Sequence, residues 1–104
     1  MAESRGVLNE TAWLASYFDR YHGLLDEPRV IESLLSLKRL MVRTHEAGRK
    51  VIFAGNGGSA AMASHCAVDF TKNAGIRCIN FNEADLITCF ANDFGYERWV
   101  AKAL

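Results

Sequence analysis

The feature that most constrains this chain is a glycine-rich turn between a short apolar run and a stretch of helical composition. The apolar run is Val51–Ala54, and the turn that follows it reads Gly55-Asn56-Gly57-Gly58-Ser59-Ala60. Glycines let the backbone turn tightly, and a helix that begins near Ser59 would direct unpaired N–H groups and its positive dipole end at the same spot. We therefore predict that this turn binds a phosphate or a phosphorylated sugar. The alternative is a turn without a ligand, in which Ser59 is an ordinary N-cap.

Composition limits the classes of protein to which the chain can belong. It has 104 residues, half of them hydrophobic and one of them proline, as expected for one compact domain or part of one. Twelve basic and twelve acidic residues cancel, which excludes the basic surface of a nucleic-acid binder. No apolar stretch approaches the roughly 20 residues of a membrane span, and the N-terminus lacks a signal-peptide core. We expect a cytoplasmic protein with no nucleic-acid or membrane partner.

The cysteines support the same location. Cys66, Cys78 and Cys89 are odd in number, widely spaced and set in apolar stretches. This pattern is typical of reduced core cysteines in a cytosolic protein and not of a disulfide framework or a zinc knuckle.

Two helices are predicted before the glycine turn. Large apolar residues recur at helical spacing from Leu14 to Leu25 and again from Val30 to Val42, and Gly48 can cap the second helix. Residues 1–48 are therefore expected to form a helical hairpin. The apolar band of the second helix is wide, which favours contact with a second subunit and hence a homo-oligomer.

Residues 49–104 are expected to begin an α/β sandwich. The pattern predicts a strand at Lys50–Ala54, a helix at Ala60–Asn73 and a parallel strand at Ile76–Phe81. Val51–Ala54 is almost continuously apolar, as in a strand that is covered on both faces. Further helical stretches follow at Ala84–Ala91 and from Tyr96 onwards. Because a two-stranded parallel sheet is a poor core, we expect the native protein to be longer than this chain.

One pair of side chains on the predicted third helix could carry chemistry. His65 and Asp69 are four residues apart, along one border of an apolar stripe formed by Met62, Ala63, Cys66, Ala67 and Phe70. An imidazole and a carboxylate one turn apart can bind a metal ion or transfer protons beside a bound sugar phosphate. The alternative is a surface pair, with Lys72 completing an ion pair.

A second pair follows the second strand. Asn92 and Asp93 are predicted to lie in a break between two helical stretches, where ligands of open α/β sheets bind. They could contact sugar hydroxyls, or they could cap a turn before Gly95. His22 and His45 have no acidic or cysteine partner at ligand spacing, so both are interpreted as structural.

These residues resemble the sugar isomerase (SIS) domain family, and within it the phosphoheptose isomerase group. The resemblance rests on three segments: Gly55–Ala61, His65 four residues before an acidic residue, and Ala91–Glu97. It covers nearly all of this chain but about half of a typical member. It implies a single partial SIS domain over residues 1–104: two N-terminal helices and the first part of a parallel sheet of flavodoxin-like or Rossmann-like three-layer type.

The resemblance also implies an activity and a location. Members of the group convert sedoheptulose 7-phosphate to D-glycero-D-manno-heptose 7-phosphate for lipopolysaccharide or capsule biosynthesis. Such proteins are cytoplasmic homotetramers, and some members bind zinc. Other SIS relatives bind sugar phosphates, or the bacterial replication initiator, without catalysis, and this leaves a non-catalytic module as the alternative function.

The resemblance assigns roles to particular residues. Asn56, Gly57, Gly58 and Ser59 match the substrate loop, and Asn92 with Asp93 match a second substrate-contacting pair. His65 and Asp69 match positions that bind zinc and act in proton transfer. Asp69 departs from the family, which usually has glutamate there as the catalytic base, so its carboxylate reaches one methylene less far. The family's serine-rich phosphate loop and its later glutamine and histidine have no counterpart in this chain.

A third interpretation uses the same glycines differently. Gly55, Gly57 and Ala60 also satisfy the dinucleotide fingerprint G-x-G-x-x-[GA], with Glu83 as a possible ribose acceptor. About fifty residues of helix before the first strand make this NAD-binding interpretation the weaker one, and the absence of Gly-Lys-[Ser/Thr] after the glycines excludes a P-loop.

Overall fold

A computed structural model describes residues 9–104, so the first eight residues of the predicted hairpin 1–48 lie outside it. The described chain forms two compact units, one that ends at Lys38 and one that comprises Arg39–Leu104. The expectation of a single partial SIS domain over residues 1–104 stays a prediction.

The order of elements confirms the predicted α/β class. The helices are α1 (Glu10–Leu25), α2 (Pro28–Glu46), α3 (Gly58–Lys72), α4 (Ala84–Phe94) and α5 (Trp99–Ala103). The strands are β1 (Val51–Phe53) and β2 (Cys78–Asn80), and a 3₁₀ turn, Tyr96–Arg98, precedes α5. No helix of residues 9–104 is long and apolar enough to cross a membrane.

The first unit contains α1 and the beginning of α2. The Asn9 side chain caps α1 by accepting a hydrogen bond from the N–H of Ala12 at 3.1 Å. The Tyr17 ring lies between those of Trp13 and Tyr21, with ring centroids 5.4 and 5.0 Å away. No residue of α1 is buried, and many large apolar side chains of this unit are exposed: Trp13, Leu14, Phe18, Tyr21, Leu24, Leu25, Ile31, Leu34, Leu35 and Leu37.

The second unit is built on the two strands, which pair in parallel as predicted. Val51 lies opposite Cys78 and Phe53 lies opposite Asn80. The core comprises Met41, Ala67 and Cys78, with Val51, Phe53, Phe70 and Ile76 packed against it. His45 has the structural role that the sequence predicts, because its Nδ1 accepts a hydrogen bond from the main-chain N–H of Arg77 at 3.2 Å.

Several sequence-based expectations need correction. Both strands are shorter than predicted, and β1 is half-buried where cover on both faces was expected. Met62 does not belong to the apolar stripe of α3, because its side chain is 68% exposed. Cys89 is exposed and is not a core cysteine, whereas Cys78 is buried, Cys66 is half-buried and all three are free thiols.

The position of Asn92 and Asp93 is a further correction. The sequence predicts a break there, but α4 continues through both residues to Phe94. The helix ends only at Gly95, where φ is 90°. The turn-forming preference of Asn and Asp is therefore overridden by the amphipathic helix in which they lie.

Candidate functional site

The turn between β1 and α3 requires glycine at two positions. A Cβ atom at Gly55 would collide with the main-chain carbonyl of Ser59, so the start of the helix packs directly on this residue. Gly57 has a φ of 56° and is the N-cap of α3, with no side-chain cap. Ser59 therefore lies inside the first turn of the helix and is not the N-cap that the alternative interpretation required.

The hydrogen bonds of the turn determine which of its N–H groups can meet a ligand. The N–H of Ser59 donates to the Asn56 carbonyl at 2.9 Å, and that of Ala60 donates to the Gly57 carbonyl at 3.0 Å. The donors that these bonds leave at the exposed start of α3 are the N–H groups of Gly57 and Gly58. Two free donors and the positive end of the helix dipole make this position chemically suited to an anion, and we call it the anion-binding corner.

Two asparagines that the sequence analysis did not single out hold this turn in place. Asn82 lies just after β2, and its side chain accepts from the Gly55 N–H at 3.3 Å and donates to the Gly55 carbonyl at 2.6 Å. Asn80 donates to the Phe53 carbonyl at 2.9 Å and to Asn82 Oδ1 at 3.1 Å, and its Oδ1 accepts from Ser64 Oγ at 3.2 Å. The sequence signal for this role was an Asn-x-Asn pattern at the end of a strand, where main-chain polar groups no longer have partners in the neighbouring strand.

The structure brings the third family segment to the first one. Tyr96, which follows α4, donates a hydrogen bond from its hydroxyl to Asn56 Oδ1 at 2.9 Å, across 40 positions of sequence. The glycine turn and the segment Ala91–Glu97 therefore meet, as expected if both belong to one site. Sequence reasoning did not assign a role to Tyr96.

His65 and Asp69 form a pair on the exposed side of α3. His65 Nε2 lies 3.4 Å from Asp69 Oδ2, and the two side chains are 76% and 51% exposed. Around the helix axis, His65 and Asp69 each lie within about 20° of Gly58, so the three share one face, which also contains the exposed Met62. At 1.5 Å per residue, His65 lies about 10 Å and Asp69 about 16 Å along the axis from Gly58.

This spacing separates two parts of the predicted site. The anion-binding corner is at the start of α3, and the imidazole and carboxylate are two to three turns further along the same face. Helical side chains tilt towards the N-terminus, which carries His65 towards the corner. An elongated ligand along this face would contact both parts, whereas a bare phosphate ion would contact one.

The chemistry of the pair suits a metal ion only in part. Two ligands of a tetrahedral zinc ion at about 2.0–2.2 Å lie about 3.3–3.5 Å apart, close to the distance between His65 Nε2 and Asp69 Oδ2. No group of three or more His, Cys, Asp and Glu side chains that could hold a metal occurs within residues 9–104. These two residues therefore supply two ligands of the four that zinc usually requires.

Asn92 and Asp93 lie in the last turn of α4, and both are exposed. Asn92 Nδ2 donates to Asp93 Oδ1 at 3.1 Å, and Cys89 Sγ donates to Asp93 Oδ2 at 3.8 Å. They precede Tyr96 by one turn, so the segment that contacts Asn56 also contains them. A direct hydrogen bond between this pair and the glycine turn is not found among the described residues.

Glu83, the possible ribose acceptor of the NAD-binding interpretation, is the N-cap of α4. Its carboxylate caps α4 by accepting from the N–H groups of Asp85 at 3.1 Å and Leu86 at 3.0 Å. These main-chain hydrogen bonds, first that of Asp85, lower the pKa of Glu83 below its usual value of 4.5. Glu83 therefore has a structural role at the start of α4, which the NAD-binding interpretation did not assign to it.

Comparison with known proteins gives relatives of one kind. The chain is 35% identical to the phosphoheptose isomerase of Proteus mirabilis over 98 residues, which is 89% of this chain and 48% of that protein. It is 35% identical to that of Sodalis glossinidius over 79 residues, 71% of this chain and 41% of that protein. The Helicobacter pylori phosphoheptose isomerase is 35% identical over 77 residues, 68% of this chain and 40% of that protein.

No protein-family model matches the sequence. The chain spans less than half the length of the three relatives just described. Their similarity nevertheless includes most of the chain, so the predicted resemblance is confirmed. By sequence, this chain is a relative of the phosphoheptose isomerases.

Proposed function

We propose that the protein to which this chain belongs is a phosphosugar isomerase that interconverts an aldose and a ketose. The observation that carries the proposal is the shared face of α3, on which an anion-binding corner is followed by an imidazole and a carboxylate. The relatives named phosphoheptose isomerase support the same class. We propose sedoheptulose 7-phosphate, converted to D-glycero-D-manno-heptose 7-phosphate or a related sugar phosphate, as the substrate.

The reaction requires a proton to move between two adjacent carbons through an enediol. In the proposed mechanism, Asp69 accepts the proton from one carbon and returns it to the other, while His65 orients Asp69 and stabilises the developing charge on oxygen. Asn56, Gly57, Gly58 and Ser59 hold the substrate at the start of α3. Asn92 and Asp93 orient sugar hydroxyls from the end of α4.

We also propose that His65 and Asp69 can bind zinc, together with ligands from outside the described residues. The distance between Nε2 and Oδ2 fits two positions of a tetrahedral site, and an imidazole with a carboxylate is a suitable donor pair. When bound, zinc would polarise the substrate oxygen and make the neighbouring C–H more acidic. Cobalt substitution followed by visible absorption would test this directly, with His65→Ala expected to abolish the signal and His22→Ala to retain it.

A homo-oligomer, a tetramer by the resemblance, forms part of the proposal. Many large apolar side chains are exposed on α1 and on the first part of α2. Monomeric proteins usually expose such residues singly, so a group of this size indicates an interaction surface. Light scattering coupled to gel filtration would measure the mass of the full-length protein. A monomer at micromolar concentration would contradict this part of the proposal.

Activity is tested with the full-length protein and sedoheptulose 7-phosphate, with and without a chelator, by following heptose phosphate formation by NMR. Turnover is expected in the wild type, together with its loss in Asp69→Asn. Asp19→Asn is the matched control, since Asp19 is an exposed carboxylate on α1. A wild type that binds the sugar phosphate without turnover would contradict catalysis.

The second candidate is a binding module that recognises sugar phosphates without turnover. One observation favours it over catalysis: the carboxylate at position 69 belongs to the shorter Asp, whose reach is one methylene less than that of Glu. Binding by the wild type that is retained in Asp69→Asn, in the absence of any turnover, would support this candidate.

A further inference from the structure

The hydroxyl of Tyr96 and the side chain of Asn56 form a long-range hydrogen bond between the segment Ala91–Glu97 and the glycine turn. Tyr96 Oη donates to Asn56 Oδ1 at 2.9 Å. Asn56 is exposed and lies next to the N–H groups of Gly57 and Gly58 at the start of α3. Tyr96 therefore contacts the ligand-facing turn from a segment that is remote in sequence.

The position of Tyr96 is determined by its neighbours on both sides. The chain turns at Gly95, where φ is 90°, and the N–H of Arg98 donates to the Gly95 carbonyl at 3.1 Å. Trp99 lies three residues after Tyr96 and is only 2% exposed, less than any other buried residue in the described part of the chain. The turn and the buried anchor hold the main chain of Tyr96, whose side chain is 53% exposed, so its backbone loses little additional freedom when the hydroxyl binds Asn56.

The chemical consequence follows from the asymmetry of an amide side chain. Asn has one acceptor, Oδ1, and two donor hydrogens on Nδ2, and its two orientations differ by a 180° flip. Because the Tyr96 hydroxyl occupies Oδ1, Nδ2 is directed away from Tyr96. The turn then presents donors from Asn56, Gly57 and Gly58, with no acceptor among them.

We propose that Tyr96 is a positioning residue that fixes the donor end of Asn56 towards the ligand and so selects for oxygen acceptors of a bound sugar phosphate. This inference rests on the proposed binding of a phosphorylated sugar at the glycine turn. In the opposite amide orientation Oδ1 would face these acceptor oxygens and repel them. Tyr96 itself need not touch the ligand.

The test combines three variants with two measurements on the full-length protein. The variants are Tyr96→Phe, Asn56→Ala and the double variant. Tyr21→Phe is the matched control, because it removes an exposed hydroxyl that is hydrogen-bonded to Tyr17 on α1. Calorimetry measures the dissociation constant for sedoheptulose 7-phosphate, and NMR follows the side-chain amide signals of Asn56 with no ligand present.

We expect Tyr96→Phe to weaken binding about 3- to 10-fold, as loss of one hydrogen bond predicts. The same substitution should cause no further loss in the Asn56→Ala background, since Tyr96 acts through that residue. The Asn56 amide signals should shift in Tyr96→Phe and stay in place in Tyr21→Phe. A merely structural role would weaken binding equally in both backgrounds and would overturn the inference, as would unchanged amide signals.

The two proposals can fail separately. An inactive wild type that still binds the sugar phosphate, with the coupling just described, contradicts isomerase activity and supports the role of Tyr96. A wild type that binds neither sedoheptulose 7-phosphate nor inorganic phosphate overturns the inference, even where the Asn56 amide shifts.

Discussion

The side-chain amide of Asn82 pairs with both main-chain polar groups of Gly55. The Gly55 N–H donates to Asn82 Oδ1 at 3.3 Å, and Asn82 Nδ2 donates to the Gly55 carbonyl at 2.6 Å. The side chain thus acts as one more peptide unit beyond the end of β2. It continues the ladder between the two strands to the first residue of the glycine turn.

Replacing Asn82 should therefore loosen the turn. We expect Asn82→Ala to lower the free energy of unfolding by about 1–3 kcal/mol, because it leaves part-buried groups of Gly55 unpaired. Asn82→Asp should lower the free energy of unfolding at least as much, since a carboxylate oxygen would then face the Gly55 carbonyl. Urea unfolding measures both, with Asn73→Ala at the exposed end of α3 as the control. An unchanged midpoint in Asn82→Ala would contradict this role.

Gly55 should tolerate no side chain. Gly55→Ala would push a Cβ into the Ser59 carbonyl, and we expect a loss of about 1–3 kcal/mol in the free energy of unfolding together with weaker sugar-phosphate binding. Gly23→Ala is the matched control, because a Cβ at Gly23, in the last turn of α1, meets nothing within 4 Å. That substitution should stabilise the protein by about 0.5–1 kcal/mol. Similar effects of the two substitutions in thermal unfolding would argue against the close approach.

Glu83 should make the stability of the protein depend on pH in the acidic range. Its folded-state pKa is lowered from 4.5, so its charged form is stabilised by folding. The contribution is complete above pH 4.5 and is lost as the pH falls through the lowered value. Glu83→Gln should lower the melting temperature at pH 7 and flatten this part of the pH profile. Glu32→Gln, at an exposed position of α2, should leave the profile as in the wild type.

Replacing Asp69 with glutamate tests the proposed chemistry, because it extends the carboxylate by one methylene. Asp69→Glu returns the methylene that the chain lacks relative to the phosphoheptose isomerase pattern and should raise kcat for sedoheptulose 7-phosphate. An increase of about tenfold corresponds to about 1.4 kcal/mol of transition-state stabilisation. Asp69→Asn should abolish turnover while sugar-phosphate binding persists. Lower activity of Asp69→Glu than of the wild type would contradict this prediction and would show that the site requires the shorter side chain of Asp69.

The three cysteines should differ in their reactivity with a thiol reagent. Burial raises the pKa of the Cys78 thiol, so both access and thiolate fraction are low there. Cys89 is exposed on α4 and should react first, while Cys66 should be intermediate. Time-resolved labelling followed by mass spectrometry would give the order. Rapid labelling of Cys78 under native conditions would contradict its place in the core.

The order of elements could be predicted from the sequence because each depends on local pattern. Helical spacing of apolar residues predicted α1 and α2, and two short apolar runs around a helix predicted a parallel pair, which the register of Val51 and Cys78 confirms. The ends of the two strands and of α4 were predicted less accurately: both strands are shorter than expected, and α4 is longer. A strand ends where its partner ends, and a helix can extend through turn-forming residues when the next glycine is further on.

The pairing of His65 with Asp69 was likewise accessible from sequence, because four residues in a helix place two side chains on one face. The three motif segments were sufficient to predict the relationship to phosphoheptose isomerases. The Asn-x-Asn pattern could single out Asn80 and Asn82, but the hydrogen-bond partners of Asn80, Asn82 and Tyr96 were not accessible from sequence. Each depends on a partner that is distant in sequence, and asparagine or tyrosine at such positions has no periodicity to reveal it.

Local sequence pattern was enough to predict the helices, the parallel pair of strands, the glycine turn and the spacing of His65 and Asp69. The extension of the sheet to Gly55 by Asn82, and the hydrogen bond of Tyr96 to Asn56, emerge only in the folded chain. The difference lies in the sequence separation of the interacting groups. Backbone conformation and helical periodicity depend on neighbouring residues, whereas a hydrogen bond between distant segments exists only after the strands and helices have packed.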